Sequence, residues 1–205
     1  MGREKYQRDV EQLFNKSTVV DLASIRRIIN KGKKVKQYHK QLIRNMILKN
    51  KIRQLPNGNY TKHDDPSLAV FSFSPAYLGL QDALSFHDLW EQETIPVIIT
   101  SRKARQGIRT VMGQNVLVRR INRKYMFGYE PQKAGDIYLP YADIEKTLID
   151  LVYFRENINR DVMKAILEKC DRQKLEEYLK KYPDRIQREI KKKLSIEQMV
   201  QILTQ

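Results

Sequence analysis

Apolar side chains recur three and four residues apart through the first third of the chain, which is the spacing of one buried helix face. This spacing predicts three helices. They cover residues 3–14, 18–30 and 33–50. Lys31-Gly32-Lys33 separates the second helix from the third, because glycine is suited to a helix C-cap or a tight turn.

A short hairpin is predicted directly after the third helix. Residues 51–62 have the pattern strand, turn, strand, and the turn contains Asn57-Gly58, the strongest short hairpin signal. Three helices followed by a hairpin are typical of a winged helix-turn-helix domain. In that fold the third helix enters the major groove of DNA with its N-terminal half. We therefore expect residues 1–63 to form such a domain.

A polar linker containing a proline, His63 to Leu68, precedes a second predicted domain that covers residues 64–205. Its first part, residues 69–140, alternates short apolar runs with turns and predicts a small, mainly antiparallel sheet. The predicted strands are residues 69–73, 95–100, 108–112, 116–121, 124–129 and 136–139. A helix is also predicted from Pro75 to about Leu89, with Ser74 as its N-cap.

The remaining part, residues 141–205, is predicted to be helical. Asp143 is expected to cap a helix, and further helices are expected over residues 159–170 and 171–182. Pro183 marks a break, and Ser195-Ile-Glu-Gln198 resembles a capping box that would open a last short helix. The expected fold class is therefore α+β.

Positive charge is concentrated in the N-terminal third of the chain. The full chain carries 39 Lys and Arg against 24 Asp and Glu, a net charge of +15. Residues 1–62 account for +12 of this, and no Asp or Glu lies between Asp21 and Asp64. A local excess of this kind indicates a module that binds a polyanion.

The predicted third helix is apolar on one side and cationic on the other. Lys36, Lys40 and Arg44 repel one another at four-residue spacing, whereas a helix face made for solubility would mix charges of both signs. An arrangement that lowers folding stability is best explained by a nucleic acid in the bound state. Tyr38 lies on the apolar side, so we expect it to pack in the core. The predicted DNA-contacting residues are Arg26, Arg27, Lys33, Lys34, Lys36, Gln37, His39, Lys40, Arg44, Lys51, Arg53, Asn57, Asn59 and Lys62.

No combination of residues in the sequence indicates an enzyme. The three histidines are scattered, and no glycine-rich phosphate loop or hydrolase motif occurs. We therefore predict no catalytic residues, no metal site and no cofactor. The residues that could form a nuclease-like site instead are Asp136, Asp143, Glu145 and Lys146. Nuclease sites usually set an acid and a lysine one residue apart on a strand, whereas Glu145 and Lys146 are adjacent and open a helix.

The single cysteine, Cys170, excludes an internal disulfide and a cysteine zinc cluster, and its helical context predicts a buried, unreactive thiol. The chain has no run of 18 apolar residues and no apolar segment behind its N-terminus. These features predict neither a membrane span nor a signal peptide, so the expected location is the cytoplasm.

Two runs of sequence resemble a known family. They are Ser74-Pro-Ala-Tyr-Leu-Gly-Leu-Gln-Asp-Ala-Leu-Ser-Phe-His87 and Tyr141-Ala-Asp-Ile-Glu-Lys-Thr-Leu-Ile-Asp-Leu151. Their order and spacing resemble those of the AbiEi-type antitoxins of type IV toxin–antitoxin (abortive infection) systems. One departure is that Asp88-Leu89 follows His87 where that family usually has Gly-Leu.

The resemblance implies a transcriptional repressor of its own operon that also counteracts a nucleotidyltransferase-like toxin. It implies that a winged helix binds inverted repeats in promoter DNA, and that residues 69–205 carry the antitoxin role as a domain. Two other functions stay open: a nuclease-like enzyme that a winged helix targets to DNA, and a winged-helix module that binds RNA or protein.

Overall fold

The computed structural model describes residues 2–29 and 38–203 and has a mixed α+β architecture with two sheets. Its N-terminal elements are α1 (Gly2–Lys16), β1 (Val19–Asp21), α2 (Leu22–Ile29), α3 (Tyr38–Leu48), β2 (Arg53–Leu55) and β3 (Asn59–Thr61). The three strands form an antiparallel sheet in the order β1-β3-β2. No helix in the described ranges is both long and apolar enough to cross a membrane.

The predicted helix over residues 18–30 is wrong at its start. Val19, Val20 and Asp21 form β1 and pair with β3, because β-branched side chains favour the extended backbone. Helix α2 begins only at Leu22, where the Asp21 carboxylate accepts a hydrogen bond from the Ser24 amide at 2.8 Å. The predicted third helix is present over Tyr38–Leu48, and its first residues, 33–37, lie outside the described residues.

The predicted hairpin is confirmed. Strands β2 and β3 pair from Arg53↔Thr61 to Leu55↔Asn59, and residues 56–58 connect them. Asn57 and Gly58 both have positive φ, 57° and 75°, a conformation that Asn-Gly adopts at low cost in tight hairpins.

The second sheet is mixed, and three of its five strand pairings are antiparallel, in agreement with the predicted mainly antiparallel sheet. Its strands are β4 (Ala76–Leu78), β5 (Val97–Thr100), β6 (Gly107–Val111), β7 (Gln114–Arg120), β8 (Tyr129–Ala134) and β9 (Ile137–Ala142). They lie in the order β6-β7-β5-β4-β9-β8, and the pairs β5/β7 and β4/β9 are parallel. Consecutive strands along the chain suggested hairpins throughout. Crossover connections instead make two pairings parallel, and these lie on either side of the central antiparallel pair β4/β5.

Two predicted elements near the linker are also wrong. Residues 66–73 form a 3₁₀ helix rather than a strand, because Pro66 opens a helical turn whose Asp65 cap accepts from the Ser67 amide at 2.8 Å. The helix predicted from Pro75 is instead β4 followed by α4 (Leu80–Phe86). The apolar run Ala76–Leu78 is buried on both faces at the centre of the sheet. A short run of consecutive apolar residues does not distinguish a buried strand from a buried helix, because both bury every side chain.

Two details of the later elements differ from the prediction. Residues 123–125 form a short 3₁₀ turn, and the strand predicted there begins only at Tyr129 and continues through Pro131. A proline is tolerated because β8 is an edge strand of the sheet.

The C-terminal helices are α5 (Ile144–Tyr153), α6 (Arg160–Lys169), α7 (Arg172–Leu179) and α8 (Asp184–Leu203). Asp143 caps α5 as predicted, and its carboxylate accepts from the Lys146 amide at 2.7 Å. The capping box predicted at Ser195 is wrong, because α8 runs through it. The Ser195 hydroxyl donates to the Lys191 carbonyl one turn earlier, at 3.0 Å.

The buried side chains form two clusters. The smaller cluster joins α1, α2, α3 and the first sheet, and it includes Val10, Ile25, Met46 and Tyr60. The larger cluster lies around the six-stranded sheet and its helices. Leu55, at the end of β2, belongs to the larger cluster, so the hairpin connects the two parts of the protein.

Candidate nucleic-acid interface

Helix α3 presents its cations to solvent because its apolar side chains fill the smaller core. Leu42, Ile43 and Met46 are buried, whereas Lys40 and Arg44 are exposed on the opposite side, one turn apart. Tyr38 packs against this core and its ring lies 5.7 Å from the Tyr6 ring, as predicted for a core residue. The outer face of α3 is therefore cationic along the turn from Lys40 to Arg44.

A groove of about 400 Å³ runs between α3 and the hairpin. Its lining residues are Leu22, Lys40, Ile43, Arg44, Ile47, Leu48, Gln54 and Tyr60. Two cations thus border an otherwise mostly apolar surface, and Leu48 is 71% exposed. Such a surface combines charge for phosphates with apolar area for sugars and base edges.

His39 orients a neighbouring arginine rather than contributing charge of its own. Its Nε2 accepts a hydrogen bond from Arg26 Nε at 3.1 Å. Burial, and then the charges of Arg26 and Lys40, lower the pKa of His39 below its ordinary value. The imidazole is therefore neutral at pH 7, and the charge at this place belongs to Arg26, which is exposed on α2 next to Arg27.

The cations of the hairpin region have partners within the protein. Lys51 pairs with Glu11 of α1 at 2.7 Å, and Arg53 pairs with Asp64 at 3.1 Å. Lys62 donates to the side chain of Asn15. A nucleic acid would have to compete with these contacts, so the three side chains are weaker candidates for phosphate binding than Lys40 and Arg44.

The hairpin loop is hydrogen-bonded to the 3₁₀ helix over residues 66–73. Asn57 Nδ2 donates to the Ser72 carbonyl at 2.7 Å, and Asn59 Nδ2 donates to the Ser72 hydroxyl at 3.1 Å. These two amides hold the loop in place, although both were predicted to contact DNA. The other predicted contacts, at Lys33, Lys34, Lys36 and Gln37, lie outside the described residues.

The residues of the alternative nuclease site make structural contacts. Asp143 caps α5 and also accepts from Tyr178, and Glu145 accepts from the Asp171 amide at 2.8 Å. Both carboxylates pair with Lys174, at 3.0 and 3.1 Å. Asp136 is exposed at the turn between β8 and β9. Within residues 2–29 and 38–203, no three His, Cys, Asp or Glu side chains are grouped so that they could hold a metal ion.

The sequence runs 74–87 and 141–151 meet in the larger core. Tyr77, on β4, donates its hydroxyl to Asp150 of α5 at 2.6 Å, and Asp150 forms an ion pair with Lys146. Both charged side chains are fully buried. Burial lowers the pKa of Lys146 and raises that of Asp150, while their mutual attraction opposes both shifts. This paired network was not foreseen, because sequence spacing places Lys146 and Asp150 on one helix face without revealing that the face is buried.

A second contact joins the same two runs. His87, at the end of α4, lies with Nε2 2.8 Å from the Ala142 carbonyl, and the neighbouring Phe86 ring stacks on Tyr141 at 4.1 Å. The described residues of these two runs are thus largely packing and hydrogen-bonding residues of one core.

Asp82, within the first of these runs, is expected to make folding stability depend on pH. It is 8% exposed and accepts from the Val97 amide at 3.0 Å, and burial raises its pKa to about 7. A carboxyl titrates near 3.9 when unfolded, so the folded state holds its proton more tightly and stability is lost as the pH rises. We expect the unfolding free energy to fall by about 2 kcal/mol between pH 5 and pH 7 through this group.

The measurement is urea denaturation at pH 5, 6 and 7. Asp82→Asn should remove most of that fall, whereas Asp88→Asn, at an exposed position, should leave it unchanged. An unaltered pH dependence in Asp82→Asn would contradict the assignment.

Cys170 is half-buried at the end of α6, and burial raises the pKa of its thiol to about 12. A thiol with so high a pKa is poorly nucleophilic at neutral pH, which agrees with the predicted lack of reactivity.

A second acid-free stretch was missed in the sequence. Residues 94–129 contain eight Lys and Arg and no Asp or Glu. The count over residues 63–205 is only +3, because acidic residues before and after this stretch cancel its charge. A running count of charge along the chain, rather than a count per predicted domain, would have found it.

No family model matches this chain, and no curated protein sequence matches it. Among solved structures, the chain is similar to the crystal structure of the RV2827C protein from Mycobacterium tuberculosis, with a TM-score of 0.57 and 16% sequence identity. The similarity covers 88% of this chain and 70% of that chain. At this level of identity the likeness establishes a shared overall fold and carries no information on function.

Proposed function

We propose that this protein is a winged-helix DNA-binding repressor that acts as the antitoxin of a type IV toxin–antitoxin pair. The observation that carries the DNA-binding part is the acid-free segment between Asp21 and Asp64. Two exposed cations of this segment, Lys40 and Arg44, lie on the outer face of α3 beside a hairpin.

The topology supports this part of the proposal. The order α1-β1-α2-α3-β2-β3, with a sheet in the order β1-β3-β2, is compatible with a winged helix in which α3 is the recognition helix and β2-β3 is the wing. In such an arrangement Lys40 and Arg44 reach phosphates or base edges, and Arg26, oriented by His39, reaches the adjacent backbone.

The antitoxin part rests on the two sequence runs at 74–87 and 141–151. They supply the Tyr77–Asp150 hydrogen bond and the His87–Ala142 contact of the larger core, so their likeness to the family is a likeness in packing. The toxin would be a nucleotidyltransferase-like protein, and residues 69–205 would counteract it.

A direct competition tests the DNA-binding part. The protein is titrated into a labelled duplex from its own promoter region, with unlabelled duplex or a structured RNA as competitor. We expect the duplex to compete at least tenfold better than the RNA. Equal or better competition by the RNA would contradict a DNA-reading function, and metal-dependent cleavage of the duplex would favour a nuclease instead.

A growth assay tests the antitoxin part separately. If a neighbouring gene encodes a nucleotidyltransferase-like protein, its expression should arrest growth, and co-expression of this chain should restore it. Lys40→Glu with Arg44→Glu should retain the rescue, because the antitoxin role is assigned to residues 69–205. Failure of the unmodified chain to rescue would contradict this assignment.

A further inference from the structure

The second acid-free stretch, residues 94–129, folds so that several of its cations gather at one end of the large sheet. Strands β5 and β7 are parallel, and Thr100 at the end of β5 is opposite Arg120 at the end of β7. The loop after β5 lies beside this end, because the Gln106 side chain accepts from the Arg120 amide at 3.0 Å. We define the second basic cluster as Arg102, Lys103, Arg105, Arg109 and Arg120.

Hydrogen bonds hold the loop of this cluster in one place. The buried Thr100 hydroxyl donates to the Phe73 carbonyl at 2.7 Å and accepts from the Arg102 amide at 3.0 Å. Arg109 donates to the Arg105 carbonyl at 2.7 Å, and its guanidinium lies 5.3 Å from the Phe73 ring centre. The cations are therefore presented by a structured loop and strand.

The charges of the cluster are not neutralised within the described part of the chain. Arg102, Lys103, Arg105 and Arg120 are exposed, and none of the five cations forms an ion pair with a carboxylate there. Arg119, the neighbouring cation, pairs with Glu156 at 2.8 Å and is left out of the cluster for that reason. Like charges gathered without counter-charges repel in the free protein and favour a bound polyanion.

The second basic cluster is connected to the proposed DNA-binding surface through the hairpin. Arg102 Nη1 donates to the Ser72 carbonyl at 3.3 Å, and the same carbonyl accepts from Asn57 of the hairpin loop at 2.7 Å. The next residue, Gly58, lies against Leu22, since a Cβ added to it would be 3.8 Å from Leu22 Cβ. Leu22 lines the groove that also contains Lys40 and Arg44.

We propose that the second basic cluster binds the phosphate backbone of the same DNA duplex, beyond the part that α3 contacts. This proposal rests on the proposed DNA-binding function and extends it to the second sheet. Arginine and lysine side chains on a fixed loop contact phosphates without reading base sequence. The hairpin loop, anchored at Ser72, sets the distance between the two contacting surfaces.

The test is the salt dependence of binding to a duplex of about 30 base pairs, three helical turns long. Lys103→Gln with Arg105→Gln removes two exposed cations of the second basic cluster. Each lost phosphate contact lowers the slope of log K against log salt by about 0.9, so the slope should become shallower by roughly 2. At 0.1 M salt the affinity should fall roughly 60-fold, for promoter and unrelated duplexes alike.

Lys133→Gln with Lys164→Gln is the matched control. Lys133 is exposed on β8, at the opposite edge of the sheet from β6, and Lys164 is exposed on α6. We expect this variant to bind as the unmodified protein does. Binding by the unmodified protein together with an unchanged slope in Lys103→Gln/Arg105→Gln would overturn the second cluster alone, whereas no duplex binding by the unmodified protein would overturn the proposed function itself.

Discussion

Lys40→Glu combined with Arg44→Glu is expected to abolish binding to duplex DNA while the protein remains folded. Both side chains are exposed on the outer face of α3 and border the groove next to the hairpin. Losing two phosphate contacts weakens binding roughly 60-fold at 0.1 M salt, and two new anions facing the phosphates add repulsion. The combined loss should reach roughly a thousandfold or more.

The fold should survive this change because it removes no buried contact. The two glutamates repel each other at the same four-residue spacing as the two cations did, so the urea midpoint should be nearly unchanged. Fluorescence anisotropy with a labelled duplex measures the binding. Lys133→Glu with Lys164→Glu applies the same change of charge elsewhere and should lower affinity far less. An equal loss in both variants would attribute binding to net charge rather than to α3.

Lys146→Met is expected to destabilise the protein by about 3–5 kcal/mol, the largest effect on stability that the structure indicates. Lys146 and Asp150 are both fully buried, and Asp150 also accepts from the Tyr77 hydroxyl at 2.6 Å. Removing the lysine leaves a buried carboxylate without its counter-charge. The carboxylate must then take up a proton or draw water into the core.

Lys146→Met combined with Asp150→Asn should recover most of this loss. The amide is neutral and keeps an oxygen that can accept from the Tyr77 hydroxyl. Urea denaturation of the two variants and of Asp150→Asn alone completes a double-mutant cycle. If the double variant is no more stable than Lys146→Met, the ion pair is not the source of the effect.

Local chemistry made some elements predictable from sequence. The hairpin was recognised because Asn57-Gly58 suits the left-handed backbone that its turn needs. The start of α5 was recognised because Asp143 can cap it. Helix α3 was recognised because one of its sides is apolar, and this side packs against the smaller core.

The elements that were mispredicted depend on contacts far apart in the sequence. Ala76–Leu78 lies in a strand because β5 and β9 flank it, and nothing within the run itself separates a buried strand from a buried helix. Val19 and Val20 leave the helical pattern because β3, forty residues later, pairs with them. The strand order of the six-stranded sheet likewise depends on pairings between strands that are far apart in the sequence.

The positive charge of the candidate interface was predictable from sequence, but the pairing of its individual cations was not. Charge counting found the basic segment, but it did not reveal that Lys51 and Arg53 pair with Glu11 and Asp64. The count over residues 63–205 also concealed the second acid-free stretch, because acidic residues outside the stretch cancel its charge. A count of charged residues over a region does not show which cations form ion pairs in the folded protein. Those ion pairs decide which cations are available to bind a phosphate.

The central claim is that clustered, unpaired cations of this protein bind the phosphates of duplex DNA. The most direct measurement is the affinity of the unmodified protein for its promoter duplex between 50 and 200 mM salt. We expect log K to fall linearly with log salt, with a slope steeper than about −4, as for a protein that contacts at least four or five phosphates. A flat slope, or no measurable binding at the lowest salt concentration, would contradict the claim.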